Sequence, residues 1–263
     1  DPVLLIAAQR GKRLVLAGDP QQLGPVVLAP EAARLADTAF ARLATRFGNA
    51  VMLVQQHRMH AHIMAFSSQQ MYGGALVAAP SVRNHRLSDL GVRDDDARAM
   101  PFMMIDTAGT CWYDERNDEA SNSLTNPGHA QRVVAEVRRL LSRGVAPTDI
   151  AVIAMYRNQV KLLREVLRTE REAGIDVGTV DGFQGRERNV VIVDTVRSNE
   201  DGTIGFLADI RRMNVAVTRA RRQLLVIADS ATLGNHAYYA AMLAYLDASG
   251  GHGSAWSDEA EEL

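Results

Sequence analysis

Apolar residues recur along the chain in two patterns. Short unbroken runs occur at residues 13–17 (RLVLA), 51–54, 102–105, 150–154, 190–193 and 224–228. Runs of that length, apolar on both sides, predict strands buried in a parallel sheet. Between them lie stretches with helical spacing. Residues 129–141 place Val133, Val134, Val137, Leu140 and Leu141 on one face, and residues 159–167 do the same with Val160, Leu163, Val166 and Leu167. Strands alternating with helices predict βαβ units and a doubly wound α/β sheet.

The polar stretches read as connections. Residues 81–100 are rich in Arg and Asp and include Asp94, Asp95 and Asp96. That triplet reads as a solvated loop rather than a metal site, because no further ligand spacing follows it. Residues 114–128 end in Asn126-Pro127-Gly128, a turn ahead of a helix. Residues 249–263 turn Gly-rich and then acidic, and are expected to be disordered. No internal repeat is visible.

Composition narrows the class. No run of about 18 apolar residues occurs, so no membrane span is expected. The first ten residues do not read as a signal peptide. The single cysteine, Cys111, excludes an intrachain disulfide and fits a reduced, intracellular compartment, with the cytoplasm expected. A net charge of −2 argues against a generally basic nucleic-acid binder, but leaves room for a local basic groove. A chain that opens on Asp1 reads as a fragment, a processed product or a trimmed chain.

Four strings carry candidate chemistry. In GDPQQLGP a buried run ends at Gly18-Asp19, and Gln22 follows at the edge where open α/β sheets bind ligands. A glutamine there can hydrogen-bond a phosphate oxygen or an attacking water; alone, Gly-Asp-Pro is an ordinary turn. In QHRMH, Arg58 suits bidentate phosphate contact. His57, His60 and His62 lack a cysteine or paired carboxylate, so no metal is expected there. In VGTVDGFQGRERNVVIVDTVR, Gly182 and Gly185 permit a tight turn, and Glu187 can accept from a ribose hydroxyl. In IRRMNVAVTRARR, Met213, Ala216, Val217 and Ala220 share one helical face. On that reading Arg212 and Arg219 lie near one another along a helix over residues 210–222. Such clustered positive charge suits phosphate, with one arginine entering a transition state where negative charge develops.

Together, GDPQQLGP, QHRMH, VDGFQGRE with VRSN, and RRMNVAVTRARR resemble the later motifs of superfamily 1B helicases, the up-frameshift-like group. The similarity is closest to the immunoglobulin mu-binding helicase type, through DTAG at Asp106, NPG at Asn126 and GFLAD at Gly205. It covers nearly the whole chain outside residues 81–100 and the tail. In that family two RecA-like domains sandwich ATP, and the resemblance implies that this chain is mostly the second. It implies that Gln22 senses the γ-phosphate, and that Arg58 and Arg219 contact it, with Arg219 as the arginine finger. It further implies nucleotide contacts from Gly185, Glu187, Arg212 and His57, the last standing where many members carry a stacking tyrosine. Tyr156, Gln159, Thr179, Arg197 and Ser198 become candidates for contact with the backbone of single-stranded DNA or RNA. The implied activity is ATP-driven 5′→3′ translocation and unwinding.

No GxxxxGK[ST] string occurs in this chain, and the Mg²⁺-holding Asp-Glu motif that the resemblance places ahead of Asp1 is also absent. The chain alone is therefore expected not to hydrolyse ATP and to need a P-loop domain as partner. Residues 1–49 are expected to be the end of the first RecA-like domain, residues 50–248 the second, and residues 249–263 a disordered tail. An orphan strand from the first domain would leave the chain marginally stable alone. A non-catalytic nucleic-acid-binding or regulatory module is the alternative, with an unrelated P-loop enzyme third. Retention of Gln22, Arg58, Glu187 and Arg219 favours the motor.

Overall fold

The computed structural model describes residues 2–25, 31, 38–48, 50–93, 97–115 and 123–256. They fall into two compact units, Asp1–Val54 and Gln55–Leu263. The Asp94–Asp96 triplet and the acidic end of the tail, residues 257–263, lie outside the described residues.

The first unit carries helices α1 (Pro2–Ala8) and α2 (Ala39–Phe47). Thr38 starts α2, its Oγ1 accepting from the Ala41 amide at 3.2 Å, and Gly48 ends it at φ 60°. The strands expected over residues 13–17 and 51–54 do not form. Val15, Val51 and Leu53 are 93%, 89% and 88% exposed. A parallel strand must pair its amides and carbonyls with a neighbour, and the described residues of this unit offer no sheet to join.

The second unit runs β1 (Gln55–Gln56), α3 (Ala61–Met71), β2 (Val77–Ala78), β3 (Phe102–Asp106), α4 (Pro127–Ser142), β4 (Ile150–Ala154), α5 (Arg157–Val166), α6 (Arg168–Glu172), β5 (Asp176–Thr179), β6 (Arg188–Asp194), α7 (Ile210–Val217), β7 (Ala220–Ala228), α8 (Ser230–Leu233), α9 (Ala237–Ser249) and β8 (His252–Ser254). Six strands form one sheet in the order β5-β4-β6-β7-β3-β8, and every pairing is parallel. The fold is thus the expected α/β type. Helices α4 and α5 pack together over the β4–β6–β7 region, while α3, α7 and α9 group against β7, β6 and β3.

All five residues of β4 are fully buried, as are Val190–Val193 in β6 and Leu224 and Leu225 in β7. Burying each such Val, Ile or Leu side chain contributes about 1.5–3 kcal/mol, which is why unbroken apolar runs become the central strands. Helix α4 begins as its sequence predicts. Asn126 Oδ1 accepts from the His129 amide at 2.9 Å, and Pro127 occupies the first turn, where its missing N–H costs nothing. Gly128 is required because the Trp112 ring covers it: a Cβ there would lie 2.3 Å from the ring.

Two expectations are corrected. The helix predicted over residues 210–222 stops at Val217, and Ala220 opens the nine-residue strand β7. Thr218 Oγ1 donates back to the Asn214 and Val215 carbonyls, at 2.9 and 3.1 Å, closing the last turn. The tail also begins later than expected, since residues 252–254 form β8 along the edge of β3. His252 secures it, bonded to Asp247 Oδ1 at 2.5 Å and to Asp106 Oδ2 at 3.1 Å.

Candidate functional site

Strands β6 and β7 lie side by side, and the residues just before them meet. The Arg188 amide donates to the Arg219 carbonyl at 3.1 Å, and an irregularity in register follows between Arg188 and Val190. This sets Glu187 and Arg219 next to each other at the amino-terminal ends of two central strands. Arg58 arrives from the turn between β1 and α3. Gln56 builds that turn: its Oε1 accepts from the Arg58 and Met59 amides at 2.8 and 2.7 Å, and its Nε2 donates to the Met59 carbonyl at 2.8 Å.

Arg58 donates through Nε to Glu187 and through Nη1 to the Thr218 carbonyl at 2.9 Å. Arg221, on β7, stands 3.6 Å from the other oxygen of Glu187. Arg219 is 3% exposed and donates to the Val215 and Arg186 carbonyls at 3.1 and 3.3 Å. Burial, and then the neighbouring Arg58 charge, lower its pKa to about 10 against the pull of Glu187. Three guanidinium groups therefore gather around one carboxylate. An arriving anion would relieve that excess of positive charge, and the planar forks of arginine match phosphate oxygens.

The remaining nucleotide candidates are dispersed. Gln22 belongs to the first unit, where Nε2 donates to Asp19 Oδ2 at 2.8 Å while Asp19 Oδ1 accepts from the Gln21 amide at 2.9 Å. His57 is exposed beside Arg58. Gly185 has φ 83° with open space where a Cβ would lie, so its need is for the left-handed backbone and not for room. Arg212 pairs with Asp181 at 3.1 Å and lies over the Phe206 ring. Its expected proximity to Arg219 along one helix is corrected by the end of α7 at Val217.

Of the residues expected to touch a nucleic-acid backbone, four lie inside. Gln159 is fully buried; its Oε1 accepts from the Asn126 amide at 2.8 Å and its Nε2 donates to Asp194 at 2.7 Å. Arg197 donates to the Thr203 carbonyl and to Asp114, and Ser198 Oγ donates to Asp229 at 2.6 Å. These three organise the surface beneath which they lie. Tyr156 is also buried, its hydroxyl accepting from the Phe206 amide at 3.4 Å, and burial raises its pKa. Its ring lies 5.4 Å from that of Phe206, which is 51% exposed. Thr179, at the end of edge strand β5, is half-buried.

The sequence reading missed several members of these groups. Arg221 joins the arginine cluster only because β7 starts at Ala220. Tyr72 enters through Asn214, whose Nδ2 donates to its hydroxyl at 3.1 Å. Beneath the surface, His129 joins Thr107 Oγ1 at 2.8 Å to Asp194 at 3.0 Å, with every partner buried. Val196, which follows on that chain, sits at φ 69°, a costly conformation for a β-branched residue that Asp194 holds by accepting its amide at 2.8 Å.

Residues 35–231 match the family model described as AAA domain. The chain is 45% identical over 241 residues to the DNA-binding protein SMUBP-2 of Rattus norvegicus, a match covering 90% of this chain and 24% of that protein. It is 38% identical over 228 residues to the DNA polymerase alpha-associated DNA helicase A of Schizosaccharomyces pombe, covering 84% and 34%. An uncharacterized ATP-dependent helicase of Methanocaldococcus jannaschii is 36% identical over 251 residues, covering 92% and 36%. The chain thus spans between 24% and 36% of the length of these relatives.

Proposed function

The chain belongs to the AAA-domain family, within the superfamily 1B helicases, and from that premise we propose that it supplies the arginine side of an ATP site in a nucleic-acid motor. The observation that carries this reading is the gathering of Arg58, Arg219 and Arg221 around the single carboxylate of Glu187. In this reading a partner P-loop domain binds ATP and holds Mg²⁺, the ion supplying charge neutralisation on the phosphates. The γ-phosphate competes with Glu187 for Arg58. As Arg58 turns to phosphate, Glu187 is released to accept from the ribose hydroxyls. Arg219 gives up its weak bonds to carbonyls for a charge-assisted bond that strengthens as the transferring phosphoryl group gains negative charge. Gln22 senses the γ-phosphate, Gly185 lets the backbone approach the nucleotide, and His57 and Arg212 complete its surroundings. Translocation runs 5′→3′ along single-stranded DNA or RNA, over a surface that Thr179 and Phe206 share and that Tyr156, Gln159, Arg197 and Ser198 support from within.

The test joins this chain to a P-loop domain of the same family and measures nucleic-acid-stimulated ATP hydrolysis. Replacing Arg219 by alanine is expected to lower turnover on the order of 10³-fold, with nucleotide and single-strand binding retained. A loss under about tenfold would remove Arg219 from the role.

A further inference from the structure

Two helices flank the arginines that meet at Glu187: Arg58 lies just ahead of α3, and Arg219 just beyond the end of α7. The buried residues of these helices are apolar apart from Ser67 and Ser68 on α3 and Asn214 on α7. Ser68 Oγ accepts from the Leu76 amide at 3.0 Å, in the turn that follows its own helix. Ser67 and Asn214 instead meet each other. Ser67 Oγ donates to Asn214 Oδ1 at 2.9 Å, and Asn214 Nδ2 donates to the Tyr72 hydroxyl at 3.1 Å. Ser67 and Asn214 are fully buried, while Tyr72, the residue that closes α3, is half-buried. One amide group of α7 is thus gripped at both its oxygen and its nitrogen by the chain of α3.

A buried polar link of this kind can do no more than fix how two helices pack. The backbone around Asn214 argues for more. The Asn214 carbonyl accepts from the Thr218 amide at 3.0 Å and from Thr218 Oγ1 at 2.9 Å. The Thr218 carbonyl accepts from Arg58 at 2.9 Å, and the Val215 carbonyl accepts from Arg219 Nε at 3.1 Å. A shift of Asn214 is therefore carried to both guanidinium groups through the Thr218 turn. At the start of α3 the His60 amide donates to the Arg221 carbonyl at 2.8 Å, so that end of the helix is tied to the cluster as well. Tyr72 also acts on Arg219 through space. Burial and Arg58 lower the pKa of Arg219, while Glu187 and, more weakly, Tyr72 raise it.

We propose that Tyr72 is a positioning residue for Arg219: its hydroxyl, together with Ser67, holds Asn214 so that the Thr218 turn presents Arg219 and Arg58 to one phosphate. Tyr72 acts through Asn214 and not on the nucleotide itself. The proposal rests on the motor reading, which supplies the phosphate. Misplacing a reacting group by about 1 Å costs on the order of 10²-fold in rate, so a clamp on the turn that carries Arg219 bears directly on turnover.

The experiment joins the whole chain to a P-loop domain of the same family and measures ATP hydrolysis with saturating single strand. It compares wild type with Tyr72→Phe, Ser67→Ala, Arg219→Ala and the Tyr72→Phe/Arg219→Ala double variant. Tyr72→Phe keeps the ring and removes only the oxygen that accepts from Asn214. It is expected to lower kcat about tenfold while the KM for ATP changes by less than about twofold. Ser67→Ala, which releases the other end of the same amide, should do likewise. Beside Arg219→Ala the tyrosine replacement should cost less than about twofold, because the guanidinium it positions is gone. A Tyr72→Phe kcat within about twofold of wild type, with Arg219→Ala impaired, overturns the proposal and leaves the motor reading standing. A loss that persists undiminished beside Arg219→Ala makes Tyr72 a packing residue and overturns the proposal too. If Arg219→Ala itself loses less than about tenfold, the motor reading fails and the positioning role falls with it.

Discussion

Asn126 ties three segments together through one amide group. Its Oδ1 caps α4, and its Nδ2 donates to the Trp112 and Val196 carbonyls at 2.6 and 3.1 Å. Asn126→Ala removes the cap and leaves two carbonyls without that donor, so a loss of about 2–4 kcal/mol is expected in chemical denaturation. Asn126→Asp keeps the cap but turns a carboxylate oxygen toward those two carbonyls in a fully buried site, and should cost at least as much as alanine. An alanine variant within about 0.5 kcal/mol of wild type would show that the three segments are held some other way. At this scale the sequence was informative where the chemistry is local. Asn-Pro-Gly announces a helix start by itself. Gln56 as builder of the Arg58 turn, and Trp112 lying on Gly128, depend on contacts the residue string does not display.

At the scale of elements, legibility followed burial and length. Strands β4 and β6 and helices α4 and α5 were visible because long apolar patterns of one period admit one reading. Strands β5 (DVGT) and β8 (HGS) carry glycine and polar residues and are held by their neighbours, so no pattern marked them. The boundary between α7 and β7 was misread for another reason. Met213, Ala216, Val217 and Ala220 are all fully buried, as a helical face would be, but Ala220 is buried as the first residue of a central strand. Helix and strand are indistinguishable by hydrophobicity in so short a run; the back-bonding of Thr218 decides.

Strand β8 also yields a pH dependence. Burial opposes charging of His252, but Asp247 and Asp106 outweigh it, and its pKa is raised above 6.5. A base with a raised folded-state pKa stabilises fully below its unfolded value, and that contribution is lost as pH rises through the folded value. Protection factors of the Ala255 amide, which donates to the Asp106 carbonyl at 2.8 Å, should therefore fall as pH rises above 6.5. In His252→Gln they should be nearly flat over the same range. Wild-type protection that does not change with pH would mean that the imidazolium does not hold the strand.

Across the second unit, the arginine cluster and edge strand β5 are joined by one residue. The Arg186 carbonyl accepts from Arg219, while its guanidinium pairs with Asp176 on that strand. The turn over residues 183–187, shaped by Gly185 in the left-handed region, is thus a physical link between the two places. Most of the cluster was legible, because Arg58, Glu187 and Arg219 stand in recognisable strings. The clamp on Asn214 was not, because Ser67 and Tyr72 reach it from a helix whose neighbourhood only the fold creates. In the proposed motor, Arg58 and Arg219 converge on the phosphates of ATP. The most direct measurement is their distance to the γ-phosphate in a crystal of this chain joined to a P-loop domain and loaded with a non-hydrolysable ATP analogue. Both guanidinium groups are expected within hydrogen-bonding reach, with Arg58 parted from Glu187. Arg219 still held on the Val215 and Arg186 carbonyls, with nucleotide bound, would contradict that convergence.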